Sequence, residues 1–72
     1  MFKYKNNEQV KKEFKCVVTM ENETMTSVAK KCGMIPQQLN NRFNNDRIGL
    51  NDLEQWLNVM GYDLYIDFRK RD

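Results

Sequence analysis

The 72-residue sequence contains no histidine, two cysteines, one proline and three glycines. Without histidine, the commonest general base is missing and a mixed Cys/His zinc site cannot be built. Two cysteines form at most one disulfide, which excludes a disulfide framework. Because neither a nucleophile–base pair nor a phosphate loop is visible, we expect no enzymatic activity, no catalytic residues, no metal and no cofactor.

Long apolar runs are also missing. No run approaches the roughly 20 residues that cross a membrane, and no signal peptide is visible. We therefore expect a cytoplasmic protein with no membrane contact and no small-molecule ligand. A chain this short buries only about 60% of its unfolded surface, so a regular helical core or a partner subunit is needed. Residues 1–72 are expected to form a single domain that dimerises or binds a larger partner.

Apolar residues recur at helical spacing in the first half of the sequence. A first helix is predicted from about 7 to 21, capped by Asn6-Asn7, with Lys11 among its outward residues. Thr24 caps a second helix that Gly33 ends, and Pro36 suits the first turn of a third. The predicted inward side chains of these helices are Val10, Phe14, Val17, Val18, Met25, Val28, Ala29, Cys32, Leu39 and Phe43.

The second half of the sequence predicts one more helix and a strand. Gly49 opens a fourth helix and Gly61 ends it; its apolar side chains are Leu50, Leu53, Trp56, Leu57 and Met60. Residues 62–69 then alternate and predict a half-buried strand, with Leu64, Ile66 and Phe68 on one face. The fold class is therefore mainly α, four helices with a short N-terminal arm or strand and a C-terminal β-strand.

A lone strand leaves its edges unpaired, so residues 62–69 need a partner. Phe2 and Tyr4 in the N-terminal arm could cover Leu64 and Ile66 within one chain. Alternatively, the strands of two protomers could pair across a two-fold axis. We favour both together, which makes Phe2, Tyr4, Leu64, Ile66 and Phe68 the predicted dimerisation residues.

The third helix carries the functional signal, because Gln and Asn make up most of its outer face. Amide side chains both donate and accept, and they pair bidentately with the adenine edge in the major groove of DNA. Only Gly33-Met34-Ile35 separates this helix from the short second helix. This is the layout of a helix-turn-helix, predicted here over residues 24–44.

Residues 24–61 resemble the helix-turn-helix of the lambda-repressor-like (XRE/Cro) family. The run 27–34, with Ala29 in the helix and Gly33 at the turn, resembles the second helix and turn of that family. The run 35–43, Ile-Pro-Gln-Gln-Leu-Asn-Asn-Arg-Phe, is similar to the recognition helix of small Gram-positive members. Residues 50–54 and 61–64 are similar to the fourth helix and the turn after it.

The resemblance implies particular roles for residues of the second and third helices. Base-reading positions would be Pro36, Gln37, Gln38 and Asn41. Phosphate contacts would come from Thr24, Lys30, Lys31, Arg42, Asn44 and Arg47. Two positions depart from the family pattern: Met25 replaces a Gln that contacts phosphate, and Ile35 replaces the Ser or Thr that caps the recognition helix.

Charge is distributed unevenly along the chain although the total is only +2. Residues 24–48 contain four basic side chains and one acidic side chain, whereas residues 49–72 contain three basic and five acidic ones. The positive part coincides with the predicted recognition unit, as nucleic-acid binding requires.

These features predict a homodimeric transcriptional regulator that binds double-stranded DNA at an operator with two half-sites. The small size of the domain suggests an origin in a phage, plasmid or other mobile element. We expect a repressor that acts by occupying the operator. The alternative is a protein-interaction module, of an antitoxin or antirepressor type, in which the helix-turn-helix is only a scaffold.

Overall fold

The computed structural model describes residues 1–45 and 48–72, and this part of the chain contains four α-helices. Their bounds are α1 Asn7–Met20, α2 Met25–Lys31, α3 Pro36–Phe43 and α4 Leu50–Asn58. The prediction of a mainly α fold with four helices is therefore confirmed. The last three helices have only 7, 8 and 9 residues, fewer than the about 12–15 that an isolated helix needs, so packing must stabilise them.

Helix ends follow local capping chemistry. The Asn6 side chain accepts a hydrogen bond from the backbone N–H of Gln9 at 2.9 Å and starts α1. After α1, Asn22 adopts a left-handed backbone with φ +55°, and the N–H of Glu23 donates to the carbonyl of Val18 at 2.9 Å. This pattern satisfies the last carbonyls of α1 and turns the chain toward α2.

Three aromatic rings form the centre of the core. The ring of Phe14 in α1 lies 5.6 Å from that of Phe43 in α3 and 5.8 Å from that of Trp56 in α4, centroid to centroid. The rings are tilted, the geometry that aromatic pairs prefer. The indole N–H of Trp56 is buried and has no hydrogen-bond partner among the described residues. The other buried side chains of the core are Val18, Val28, Ala29, Leu39, Leu53 and Met60.

Two side chains are placed differently from the sequence prediction. Lys11 was expected to face outward but is only 8% exposed. Its Nζ lies 5.9 Å from the Phe43 ring centroid and 3.5 Å from a Glu8 carboxylate oxygen, so the aliphatic stem covers the core. Leu50 was expected on the apolar side of α4 but is 58% exposed, because it occupies the first residue of that helix.

The predicted C-terminal strand at 62–69 is wrong for the single chain, and so is a strand in the N-terminal arm. Neither segment forms a strand in the structure, and no backbone hydrogen bond within the described ranges involves residues 63–72. The physical reason is that no other segment lies alongside in register to complete a ladder. Tyr62 and Leu64 pack against the helical core, whereas the chain beyond them is exposed.

Candidate nucleic-acid interface

The candidate interface begins at the start of α2. Oγ1 of Thr24 accepts a hydrogen bond from the Ser27 backbone N–H at 3.1 Å, and Oγ of Ser27 accepts one from the Thr24 backbone N–H at 2.9 Å. This reciprocal capping box confirms Thr24 as the N-cap predicted from sequence. Thr24 is exposed, and its own hydroxyl proton remains available to a phosphate oxygen.

Gly33 sets the turn between α2 and α3. Its φ is +73°, a conformation that residues with a Cβ rarely adopt. The N–H of Gly33 donates to the Lys30 carbonyl at 3.1 Å, and the N–H of Met34 donates to the Ala29 carbonyl at 2.9 Å. These two bonds define a Schellman motif, which fixes where α3 begins relative to the end of α2.

Two buried side chains attach α3 to the rest of the molecule. Leu39 has no exposed surface, and Phe43 belongs to the aromatic cluster. The start of α3 is less secure, since Ile35 has no side-chain acceptor to offer as a cap. Only Oε1 of Gln38 reaches back, accepting from the Ile35 N–H at a long 3.4 Å. The missing cap expected from the sequence is therefore confirmed.

The outer face of α3 carries a stripe of four amide side chains. Gln37, Asn40, Asn41 and Asn44 follow the spacing i, i+3, i+4, i+7, so they share one face, and all four are exposed. We call these four residues the amide stripe. The side chains of Gln37 and Asn41 make no hydrogen bond to any described residue, which leaves their donors and acceptors free for a ligand.

The amide stripe contains a residue that the sequence-based site lacked. Asn40 lies between Gln37 and Asn44 on the same face, and helical periodicity alone was a sufficient signal to include it. Of the other predicted base-reading residues, Pro36 is half-buried in the first turn. Gln38 is exposed, and its side chain is directed toward the helix start.

The predicted phosphate-binding cations are not equally free. A guanidinium nitrogen of Arg42 lies 3.0 Å from a carboxylate oxygen of Asp52, which ties α3 to α4. Nζ of Lys31 pairs with the carboxylate of Glu23 in the turn before α2. Lys30 is exposed and has no such partner in the described structure. Arg47 lies outside the described residues.

Glu23 connects the start of α2 to its last turn. Its carboxylate accepts a hydrogen bond from Lys31 and a second from the Ser27 hydroxyl at 2.6 Å. These two contacts, Lys31 first, hold the pKa of Glu23 below its usual value of 4.5. The carboxylate therefore stays ionised and competes with any external anion for the ammonium of Lys31.

Lys15 of α1 adds a positive charge that the sequence analysis did not assign to the interface. Its Nζ lies 5.5 Å from the ring centroid of Phe43, the last residue of α3, and the side chain is exposed. A cation in this position interacts favourably with the C-terminal end of the α3 dipole.

Other kinds of site are not apparent in residues 1–45 and 48–72. No group of three or more Cys, Asp or Glu side chains there is arranged to hold a metal ion. Over the same residues, no helix combines the length and apolarity that crossing a bilayer requires.

Comparisons with protein-family models, curated proteins and solved structures give no match for this chain. The two short helices and their tight turn are compatible with a helix-turn-helix but are not specific to it. The function is therefore inferred from the residues themselves.

Proposed function

We propose that this protein is a cytoplasmic, non-enzymatic transcriptional regulator that binds double-stranded DNA through α3 of a helix-turn-helix. The observation that carries the proposal is the exposed amide stripe, in which the side chains of Gln37 and Asn41 make no hydrogen bond to residues 1–45 or 48–72. A helix fits the major groove, where Asn and Gln pair bidentately with adenine N6 and N7. The operator is accordingly expected to contain A·T pairs at the positions facing the stripe.

Phosphate contacts in the proposed complex come from both sides of α3. Thr24 caps the start of α2, Lys30 lies in the last turn of that helix, and Asn44 is the C-cap of α3. Lys31 and Arg42 contribute only if they leave the carboxylates of Glu23 and Asp52. If the four candidate cations Lys30, Lys31, Arg42 and Arg47 each neutralise one phosphate, log K falls with log salt concentration with a slope of about −3.6 per protomer. A monomer would therefore bind weakly at physiological salt.

A homodimer doubles the number of contacts and the length of sequence that is read. Two recognition helices about 34 Å apart would reach successive major grooves on one side of the duplex. Occupation of both half-sites excludes polymerase from an overlapping promoter, so repression is the proposed mechanism.

The test is selection from a random double-stranded library, followed by titration of the selected duplex at 50 and 200 mM salt. The proposal predicts a selected motif with two-fold symmetry, and binding that weakens with salt yet survives excess nonspecific competitor. Failure to enrich any motif, or equal competition by all DNA, would refute sequence-specific recognition.

Two observations favour the second candidate function, a protein-interaction module. Lys31 and Arg42 are engaged in intramolecular ion pairs, which reduces the positive charge available to DNA. Meanwhile Ile35, at the start of α3, exposes 58% of its surface. A stable protein partner recovered with the wild-type chain but lost with Ile35→Asp, together with no DNA binding at 50 mM salt, would support this candidate.

A further inference from the structure

The C-terminal segment 62–69 exposes apolar surface that the single chain does not cover. Phe68 is 93% exposed and Ile66 is 56% exposed, and in a strand both would share a face with the half-buried Leu64. The backbone from residue 63 onward makes no hydrogen bond within the described structure. A segment that alternates apolar and polar residues and leaves its backbone unpaired is a template for another strand.

We propose that two copies of this chain pair antiparallel through residues 63–69, with Ile66 on the two-fold axis. This deepens the dimeric regulator proposed above and rests on it only for the expectation that two copies associate. Residues at equal distances on either side of Ile66 then face each other. Leu64 faces Phe68 of the second copy on the apolar side of the ribbon. Asp63 faces Arg69, and Tyr65 faces Asp67, on the polar side.

Charge selects this register over its neighbours. An axis at Tyr65 would place Asp63 opposite Asp67, and an axis at Asp67 would place that residue opposite itself; like charges directly opposite each other are destabilising. If the two-fold axis passed midway between two consecutive residues, each apolar side chain of the alternating segment would face a position of the opposite parity, and apolar side chains would oppose polar ones. Only the axis at Ile66 combines two Asp63–Arg69 pairs with an uninterrupted apolar face.

The remaining registers fail for steric and polar reasons. With the axis at Leu64, Phe68 would face Met60, which lies buried where α4 ends. With the axis at Phe68, Ile66 would face Lys70 and the apolar side of the ribbon would carry charges. The axis at Leu64 pairs that residue with its own copy but leaves Phe68 without an accessible partner, and the axis at Phe68 sets Leu64 opposite Asp72.

An apolar groove beside Leu64 is the proposed receptor for the ring of Phe68 from the second copy. The groove encloses about 330 Å³ between the N-terminal arm, α1 and α4; its apolar lining includes Phe2, Val10, Val17, Leu57 and Leu64. Directly opposed residues in an antiparallel pair have Cβ atoms about 4.5–5.5 Å apart, so a ring facing Leu64 reaches this groove.

The exposed apolar side chains supply the larger part of the area that a standard interface buries. Met1, Phe2, Ile66 and Phe68 are 92%, 44%, 56% and 93% exposed. At about 150–250 Å² per large side chain, they present roughly 500 Å² per protomer before the strand backbone is counted. Standard interfaces bury about 800 Å² per partner.

A charge-exchange experiment tests the register without DNA. Asp63 and Arg69 are both exposed, so Asp63→Arg and Arg69→Asp leave the helical core intact, which circular dichroism verifies. Each single variant sets like charges opposite each other twice in its homodimer, and we expect its dimer dissociation constant to rise roughly 10-fold. An equimolar mixture of the two variants restores opposite charges and should dimerise like the wild type.

Asp67→Arg is the register control, measured in the same sedimentation experiments. In the proposed register its neighbour across the ribbon is Tyr65, and within its own chain Asp67 pairs with Arg69 at 2.8 Å. Because exposed ion pairs contribute little, the dissociation constant should change less than 3-fold. A dimer strengthened by Asp67→Arg would indicate the axis at Tyr65, in which Asp63 faces residue 67, and would overturn the proposal. So would a wild-type chain that stays monomeric at 100 µM, or a mixture that dimerises no better than its components. Because the sedimentation experiments contain no DNA, a failure of the proposed DNA binding would leave their result unchanged, and the two proposals can fail separately.

Discussion

Leu39→Ala is the perturbation that best tests how α3 is held in place. Leu39 has no exposed surface and is one of only two buried side chains of α3. Leu→Ala changes in packed cores cost about 2.7–5.0 kcal/mol, because the apolar contacts are lost and a cavity remains. Alanine is the best helix former, so the helix itself is not weakened.

This loss is large relative to the expected total. At about 0.05–0.15 kcal/mol per residue, a chain of this length has a free energy of unfolding of roughly 4–11 kcal/mol. A loss of 1 kcal/mol lowers Tm by about 4–8 °C in domains of this size, so Leu39→Ala should lower it by roughly 10–40 °C. Urea and thermal unfolding followed by circular dichroism measure both quantities.

Leu50→Ala is the matched control, because both leucines were predicted to face inward but Leu50 is 58% exposed. We expect its free energy of unfolding to stay within about 0.5 kcal/mol of the wild type. If the two variants are destabilised equally, the placement of α3 against the aromatic core is incorrect.

Three further predictions concern local features. Ile35→Thr supplies the missing cap of α3 and should stabilise the protein by about 1 kcal/mol, measured by urea unfolding; unchanged or lower stability would contradict this. Because the folded pKa of Glu23 lies below its unfolded value, its ion pair stabilises the protein above about pH 4.5, and this contribution disappears as the pH falls through the folded pKa. Glu23→Gln should therefore lower stability at pH 7 and flatten the pH profile in the acid range, and an unchanged profile would count against the Lys31 contact. Exposed Cys16 should react with a thiol reagent faster than Cys32, whose pKa is raised by burial; equal rates would argue against that burial.

Features set by neighbouring residues could be predicted from the sequence. Asn6 and Thr24 were identified as N-caps because each side chain accepts a hydrogen bond from a backbone N–H only three residues later. Gly33 and Gly61 were identified as helix ends because glycine readily adopts the positive φ that both positions have. The positions of the four helices follow from these signals and from apolar periodicity.

Features set by distant contacts could not be predicted in this way. Lys11 is buried because its stem meets Phe43, which lies 32 positions later in the sequence. The predicted strand fails in the single chain because alternation specifies a face but supplies no partner. The ion pairs of Arg42 with Asp52 and of Lys31 with Glu23 likewise depend on how the helices are arranged, and they change which cations are available to DNA.

Base-resolved affinity with a selected operator tests the central claim, that α3 reads DNA sequence. Each adenine of a half-site is replaced by 7-deazaadenine, which removes the N7 acceptor, and binding is measured for the wild type, Gln37→Ala, Asn41→Ala and the control Gln55→Ala. Gln55 is exposed on α4, outside the proposed interface.

We expect one replaced adenine to weaken wild-type and Gln55→Ala binding by about 1–3 kcal/mol but to leave Gln37→Ala binding almost unaffected. We expect a second, different adenine to weaken wild-type and Gln55→Ala binding to the same extent but to leave Asn41→Ala binding almost unaffected. If the variants lose affinity equally at every adenine, or bind as the wild type does, the amide stripe does not read bases.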